Sequence, residues 1–199
     1  MRKVIVTEYV TLDGVMEDPG GGDKSRLGGW SFRFWNQEAA RYKFDELFAS
    51  DALLLGRVTY EGFAKAWPSV KDEAGFADRM NSLPKYVVTR TLQTLDWNNS
   101  TPIRGNIAEE VSGLKQQPGQ DILVAGSAEL VRTLMQHDLI DEFRLMVHPI
   151  VLGSGKRLFG DGCAMQVLQL VDSRALGSGI LLLTYRPAAQ PTTTERESA

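Results

Sequence analysis

The segment that decides the fold reads LLLGRVTYE and occupies residues 53–61. Its apolar first part is typical of a buried strand, and Gly56 and Arg57 follow where a helix can begin. The free amide groups and the positive end of a helix favour an anion at such a junction, and Arg57 adds a fork of hydrogen-bond donors. The segment therefore predicts a strand, a glycine turn and a helix that together suit a phosphate group.

Two further predicted strands end in residues of the same kind. One ends in Thr89, Arg90 and Thr91, and the other ends in Gly126 and Ser127 before a helix. Because ligands bind beyond the carboxyl ends of strands in open α/β sheets, three parallel strands would bring these groups to one crevice. Each strand end alone could be an ordinary turn or helix cap, but their joint occurrence predicts a cradle for a dinucleotide with an extra phosphate.

The composition is that of a globular protein of one domain. The chain has 199 residues, of which 43% are hydrophobic and 24% charged, and its net charge is −3. This balance argues against nucleic acid or a membrane surface as a general partner. A single cysteine, Cys163, excludes an internal disulfide, and no signal peptide or membrane-spanning stretch is evident, so we expect a cytoplasmic protein.

Strand and helix patterns alternate through the first two-thirds of the chain, and strands pair directly in the last third. This order predicts an α/β fold with a mainly parallel central sheet, an antiparallel C-terminal edge and helices on both faces. The predicted strands cover residues 3–12, 52–55, 85–89, 121–125, 142–149, 165–171 and 180–185. The predicted helices cover residues 36–49, 59–66, 74–82, 107–115 and a segment from Ser127 to about 137. The polar tail, 187–199, is predicted to be disordered.

Four motifs in the right order carry a family resemblance. The segment LLLGRVTYEGF, 53–63, resembles the dihydrofolate reductase superfamily and is most similar to its RibD C-terminal branch, which contains the reductase domain of riboflavin biosynthesis. TLDG at 11–14 is similar to the SLDG signature of that branch. LIDEFRL at 139–145 and HPIVLGSG at 148–155 are similar to its later conserved segment. The resemblance implies a dihydrofolate reductase-like fold and a single reductase-like domain over residues 1–186.

The resemblance implies an NADPH-dependent reductase and assigns cofactor contacts. In that family a Gly-Arg-x-Thr turn binds cofactor phosphates, and this role carries to Gly56, Arg57 and Thr59. The strand end after the next helix holds the adenosine phosphate, and this role carries to Thr89 and Arg90.

A third family turn lies under the pyrophosphate and the nicotinamide, and it carries to Gly126, Ser127 and Ala128. The family often has two glycines at the first two positions, so the serine leaves open whether the Gly126-Ser127 peptide is cis. The mobile loop that covers the nicotinamide in relatives corresponds to Asp13 through Met16 and onward.

The catalytic acid is the least determined part of the site. Hydride transfer requires a proton donor beside the reacting carbon. Dihydrofolate reductases use a carboxylate on the first helix, but the equivalent position here falls near Ala40, which argues against folate reduction. Glu38 and Asp45 lie nearby, and Asp13 sits where the loop meets the nicotinamide. Asp13 and Glu38 are therefore the catalytic candidates, although each is also typical of a turn or of a solvent-facing helix.

Aromatic residues cluster before the first helix and could wall a substrate pocket or pack in the core. They are Trp30, Phe32, Phe34 and Trp35. No spacing of Cys, His and Asp resembles a metal site, so we expect no metal.

The expected activity is hydride transfer from NADPH to a C=N or C=O group of a small N-heterocycle. The closest named reaction is that of 5-amino-6-(5-phosphoribosylamino)uracil reductase. Alternatives are a pteridine-type reductase with another substrate, a non-catalytic NADPH-binding protein, or a protein that binds no nucleotide. The resemblance also implies a homodimer through the late strands. The apolar runs 145–147 and 180–183 are compatible with an interface or with core packing.

Overall fold

Eight strands and five α-helices make up the described part of this computed structural model, which covers residues 1–22, 25–163 and 165–188. The strands are β1 (Val4–Thr11), β2 (Ser50–Gly56), β3 (Lys85–Val88), β4 (Ser100–Ile103), β5 (Asp121–Val124), β6 (Glu142–His148), β7 (Leu168–Ala175) and β8 (Leu181–Pro187). The helices are α1 (Gln37–Phe48), α2 (Arg57–Ala66), α3 (Phe76–Ser82), α4 (Ile107–Gln116) and α5 (Ala128–Gln136). Short 3-10 helices cover Trp30–Phe34, Trp67–Ser69 and Gly177–Gly179.

All eight strands form one sheet in the order β4-β3-β2-β5-β1-β6-β8-β7. The strands from β4 to β6 in this order are parallel to their neighbours. At the C-terminal edge, β8 runs antiparallel to both of its neighbours, β6 and β7. The predicted mainly parallel sheet with an antiparallel C-terminal edge is therefore confirmed.

Helices cover both faces of the sheet because the buried strands present apolar side chains on both sides. Val4 and Val6 of β1 pack with α4 and α5 in one core, whereas Ile5 packs in a second core with α1, α2 and α3. A smaller third cluster around Met146 lies under the C-terminal hairpin. The apolar run 145–147 therefore packs largely in the core, as does Leu182 of the run 180–183.

The structure differs from the predicted elements mainly at two edge strands. β4 was not predicted, because Ser100–Ile103 is short, half exposed and contains Pro102. β7 lies later than the predicted strand at 165–171, because Leu168–Ala175 is mostly exposed and mixes polar with apolar residues. The predicted disordered tail begins at Pro187, which ends β8, and residues 189–199 of that tail lie outside the described residues.

A close backbone contact joins the end of β2 to the turn after β5. The Gly56 amide donates to the Gly126 carbonyl oxygen at 3.1 Å. A Cβ atom on Gly56 would lie 2.5 Å from Ser127 Oγ and 3.0 Å from Ser127 N. Gly126 has φ +92°, and a Cβ atom there would lie 2.7 Å from Thr59 Oγ1. Both positions therefore require glycine, and the contact sets the distance between α2 and α5.

We expect the substitution Gly56→Ala to lower the free energy of unfolding by about 2 kcal/mol, because the added methyl group overpacks the Ser127 backbone. Urea denaturation of the purified variant measures this change.

Gly113→Ala is the matched control, because a Cβ atom on Gly113 in α4 would meet no atom within 4 Å. Alanine favours a helix interior over glycine, so this variant should gain roughly 0.5 to 1 kcal/mol. Equal effects of the two substitutions would contradict the proposed crowding at Gly56.

Candidate functional site

A crevice of about 380 Å³ lies beyond the carboxyl ends of β2, β3, β4 and β5. It brings together the three predicted strand ends and adds a fourth, the segment that follows β4. Residues that line it are Gly56, Arg57, Val58, Val88, Thr89, Arg90, Thr91, Ile103, Arg104, Gly105, Ile107, Ser127, Glu129, Leu130 and Thr133. This is the edge of a parallel sheet at which α/β proteins bind ligands.

Helices α2 and α5, which follow β2 and β5 and begin at this crevice, lack a side-chain cap at their N-termini. Neither Gly56, the N-cap of α2, nor Ser127, the N-cap of α5, accepts a side-chain hydrogen bond from its first turn. The other three helices of the described residues are capped, α1 by Asn36, α3 by the Asp72 carboxylate and α4 by Asn106. The first-turn amides of α2 and α5 thus remain available to an anion in the crevice.

Three arginines surround the crevice and differ in their partners. Arg57 Nη1 donates to Glu61 Oε2 at 2.7 Å in an exposed pair within α2. Arg104 Nη2 donates to the carbonyl oxygens of Leu92 and Gln93 and so supports the loop after β3. Within the described part of the chain, no hydrogen bond or ion pair engages the exposed Arg90 side chain. Arg90 is therefore the cation that can meet an anion without giving up a partner.

The remaining predicted cofactor residues lie in or behind this crevice. Thr89 is buried, and its hydroxyl accepts hydrogen bonds from the Thr91 and Leu92 amides, so it shapes the loop that carries Arg90. Thr59 faces Gly126, as described above. Ala128 begins α5 directly after the crevice-lining Ser127, and the Gly126-Ser127 peptide is cis.

Arg104 and Gly105 are crevice residues that the sequence analysis missed. They follow β4, a strand that was not predicted, and Gly105 N donates to Glu110 Oε1 at 3.0 Å. Residues 103–106 read Ile-Arg-Gly-Asn, so an arginine and a glycine stand directly before Asn106, a residue type that favours a helix N-cap. This pattern was the available signal.

Asp13 lies outside the crevice and fastens the loop after β1 to the loop after β6. Its carboxylate accepts hydrogen bonds from the Thr11 hydroxyl at 2.6 Å and from the Leu152 and Gly153 amides at 3.2 and 2.8 Å. The Thr11 hydroxyl, followed by these amides, lowers the pKa of Asp13 to about 2. Asp13 is therefore ionised at neutral pH, a state that accepts protons rather than donates them. Its predicted catalytic role stays a prediction.

Glu38 also lies away from the crevice, on an exposed part of the first turn of α1. Its Oε2 accepts a hydrogen bond from Gly177 N at 2.7 Å and so holds the turn before β8. The catalytic role predicted for Glu38 likewise stays a prediction.

Glu8 on β1 is a buried carboxyl group that the sequence analysis did not single out. The residue is 8% exposed, and its Oε1 has no hydrogen-bond partner among the described residues. It lies beside Gly126, because a Cβ atom on that glycine would be 3.7 Å from Glu8 Oε1 and 3.6 Å from the Met16 methyl group. Burial raises the pKa of Glu8 to about 8, although Lys43 opposes the shift.

The buried acid of α1 is Glu46 rather than a residue near position 40. It accepts hydrogen bonds from the Thr7 hydroxyl at 2.7 Å and from Lys43, and Arg144 lies 3.4 Å away. Burial raises the pKa of Glu46, but Lys43 and Thr7 outweigh burial and leave this pKa below its ordinary value. Glu46 is thus an ionised, fully partnered carboxylate that joins α1 to β1 and β6.

The predicted aromatic cluster divides into core and surface. Trp30 and Phe34 pack edge-to-face on His148, with ring centroids 5.1 and 5.8 Å apart. Phe32 and Trp35 are each 66% exposed. The first pair therefore serves core packing, and only the second pair is available to a ligand or partner.

The described residues contain neither a candidate metal cluster nor a membrane-spanning helix. Within residues 1–22, 25–163 and 165–188, no group of three or more His, Cys, Asp or Glu side chains could hold a metal ion. No helix in this part of the chain has both the length and the apolar character needed to cross a membrane.

Solved structures that share the fold of this chain include the following three proteins. A protein from Shewanella sp. PV-4, provisionally named for riboflavin biosynthesis, has a TM-score of 0.76 at 20% identity and covers 94% of this chain and 99% of its own. The diaminohydroxyphosphoribosylaminopyrimidine deaminase/5-amino-6-(5-phosphoribosylamino)uracil reductase of Thermotoga maritima has a TM-score of 0.61 at 18% identity and covers 94% of this chain and 57% of its own. Dihydrofolate reductase from Enterococcus faecalis, complexed with NADP(H), has a TM-score of 0.58 at 14% identity and covers 94% and 97%. These likenesses show a dihydrofolate reductase-like fold.

Sequence comparison extends the likeness to the family level. The protein YyaP of Bacillus subtilis (strain 168), which is uncharacterized, is 35% identical over 187 residues, 92% of this chain and 94% of that protein. The sequence model of the RibD C-terminal domain matches residues 2–182. With its sheet order, its crevice and this match over nearly its whole length, the chain belongs to the RibD C-terminal domain family.

Proposed function

We propose that this protein is an NADPH-dependent reductase that transfers hydride to a small N-heterocyclic substrate. The observation that carries the proposal is the pairing of two uncapped helix N-termini with three arginines at one crevice. Such a crevice favours a ligand with several negative charges. The protein has a net charge of −3, so these three arginines are a local feature of the crevice and do not reflect a generally basic surface.

The crevice residues fit a dinucleotide that carries an extra phosphate. Gly56 and the uncapped end of α5 at Ser127 allow a pyrophosphate to approach backbone amides. Arg57 is exposed enough to exchange Glu61 for a phosphate, and Arg90, which lines the crevice, is the proposed partner of the adenosine 2′-phosphate. When bound, NADPH would supply the hydride, while the protein supplies orientation and charge. The NADP(H) complex of the structurally similar Enterococcus faecalis enzyme supports this choice of cofactor.

The substrate is proposed at the level of a class. The Thermotoga maritima neighbour supports 5-amino-6-(5-phosphoribosylamino)uracil as the named candidate. That substrate carries a phosphate, and the exposed aromatic residues Phe32 and Trp35 offer stacking surfaces rather than charge. A pteridine-type reductase with another substrate is therefore the alternative enzyme, and a non-catalytic NADPH-binding protein is the alternative without turnover.

The first test measures NADPH binding and NADPH oxidation with a panel of aminopyrimidines, pteridines and quinones. We expect saturable binding and consumption with at least one N-heterocycle, because the crevice and the family both favour a reductase. Binding without consumption across the panel would support the non-catalytic alternative. Absence of NADPH binding would overturn the proposal.

The second test uses Arg90→Ala, which removes the proposed partner of the 2′-phosphate. We expect NADPH affinity to fall by roughly 10- to 100-fold, since a charge-assisted hydrogen bond contributes about 1.5 to 3 kcal/mol. NADH affinity should change by less than about twofold, because NADH lacks this phosphate. Fluorescence titration measures both dissociation constants.

Arg41→Ala is the control, because Arg41 is exposed on α1 and pairs only locally with Asp45. It should leave both affinities unchanged. Equal losses of NADPH and NADH affinity in Arg90→Ala would contradict the 2′-phosphate assignment.

We further propose a homodimer that forms through the C-terminal hairpin. β7 is the edge strand of the sheet, and its apolar residues Leu170 and Val171 are 49% and 45% exposed. An exposed apolar edge strand is a ready surface for pairing with another chain.

Leu170→Lys should shift the protein from dimer to monomer, because a buried lysine without a partner is unfavourable in an interface. Sedimentation velocity at micromolar concentration measures the state. Gln169→Lys is the control, since neighbouring strand residues point to opposite faces. A monomeric wild-type protein, or a dimer that tolerates Leu170→Lys, would exclude this interface.

A further inference from the structure

Among the acidic side chains that the structure describes, Glu8 is the one that combines burial, an unpartnered oxygen and a position at the carboxyl edge of the parallel strands. β1 and β5 are parallel, and Val6 is in register with Val124, so Glu8 lies at the level of the turn that follows β5. Its Oε1 is buried without a hydrogen-bond partner among the described residues. Buried polar atoms are almost always partnered, so this exception beside the crevice supports a role for Glu8 toward a ligand.

The surroundings of Gly126 define where that oxygen points. A Cβ atom on Gly126 would meet Thr59 Oγ1 of α2, the methyl group of Met16 and Oε1 of Glu8, at 2.7, 3.6 and 3.7 Å. These three groups therefore surround a glycine that lies next to Ser127, a residue of the cofactor crevice. Glu8 thus lies beside the Gly126 turn, which the Met16 side chain of the first loop also approaches. The family resemblance places these two segments around the nicotinamide.

The competing carboxylates are engaged elsewhere. Asp13 is held in its ionised form by hydrogen bonds to two loops, and Glu38 holds the Gly177 amide on the surface. Glu46 is buried but already paired with Lys43 and Arg144. Glu8 alone among these four combines an unpartnered oxygen with a raised pKa.

We propose that Glu8 is the catalytic acid of this protein and donates the proton that accompanies hydride transfer. This inference rests on the reductase function proposed above. In the step, the substrate C=N carbon would accept a hydride, with its electron pair, which bound NADPH would supply. The substrate nitrogen takes the proton of the Glu8 carboxylic acid, and the C=N double bond becomes a C–N single bond. Loss of the hydride would leave the cofactor as NADP⁺, and the Glu8 carboxylate regains its proton from water.

The environment keeps Glu8 in the acid form that this step needs. Burial in the sheet raises its pKa from 4.5 to about 8. From α1, Lys43 acts against the shift and Glu46 acts with it, and the Gly126 amide after β5 also opposes it. Thr59 of α2 and Met16 of the first loop present no charge. Glu8 is therefore protonated at neutral pH and loses its proton at about pH 8.

The catalytic test compares wild type with Glu8→Gln on a substrate that the panel identifies. We expect kcat to fall by roughly 100-fold or more, in the range for loss of a general acid, while the NADPH dissociation constant changes by less than about twofold. In wild type, kcat should be constant below about pH 8 and fall tenfold per pH unit above it, because only the protonated acid reacts. Glu8→Gln should lack this fall.

Glu73→Gln is the matched control, because Glu73 is an exposed carboxylate in the loop before α3. It should retain wild-type kcat and pH dependence. A Glu8→Gln variant with kcat within twofold of wild type, or with an unchanged alkaline limb, would overturn the proposal while NADPH binding stayed intact. Wild type that fails to bind NADPH would instead overturn the proposed function.

Two measurements need neither cofactor nor substrate. In wild-type protein labelled with carbon-13 at glutamate carboxyl groups, one NMR resonance should titrate near pH 8. Because the folded-state pKa lies above the ordinary value, Glu8 takes up a proton on folding between about pH 4.5 and 8, and its contribution to wild-type stability falls as pH rises through this interval. The melting temperature of Glu8→Gln should therefore rise relative to wild type between pH 5 and pH 9. If neither the resonance near pH 8 nor the change in relative melting temperature is observed, the proposal that Glu8 is a buried, protonated acid is overturned.

Discussion

The contact between Gly56 and the Gly126-Ser127 turn is the constraint on which the crevice depends. A hydrogen bond of 3.1 Å and the absence of two side chains bring the end of β2 against the start of α5. This approach aligns the N-termini of α2 and α5 at one edge of the sheet. Their first-turn amides then act on the same volume, which two separately placed helix ends would not do.

The three arginines around the crevice differ in how strongly they are engaged before a ligand binds. Arg104 is occupied with loop carbonyl groups and supports the segment that carries Arg90. Arg57 is balanced by Glu61, and Glu129 also lines the crevice. Arg104 thus supports the shape of the crevice without a ligand. Arg57 and Arg90 remain able to offer positive charge to one.

Much of this arrangement could be predicted from the sequence, because strand ends and glycine turns are local features. The segment 53–61 and the two later strand ends were predicted as one crevice, and the structure brings Gly56, Arg57, Thr89, Arg90 and Ser127 together there. The fourth wall was missed, since β4 is a short edge strand with a proline and too little buried surface to leave a pattern.

The acidic residues were harder to predict, because their state depends on partners distant in sequence. Asp13 accepts hydrogen bonds from the amides of Leu152 and Gly153, which lie 139 and 140 positions later in the sequence. Glu8 is a polar residue in an apolar strand, which the sequence pattern treats as an ordinary surface position. Only the packing of β1 against the Gly126 turn distinguishes it from a solvated glutamate.

The Asp13 attachment has a consequence for how this family can vary. Met16 N donates to Lys156 O, Leu158 N donates to Gly14 O, and Val15 pairs with Arg157, so the first loop and the loop after β6 form one small antiparallel unit. Because this unit combines one loop from early in the chain with one from late in the chain, it cannot be replaced by exchanging a single loop. We expect relatives with different substrates to differ in residues 13–17 and 152–158 together, so that these two distant segments change as a single inherited module.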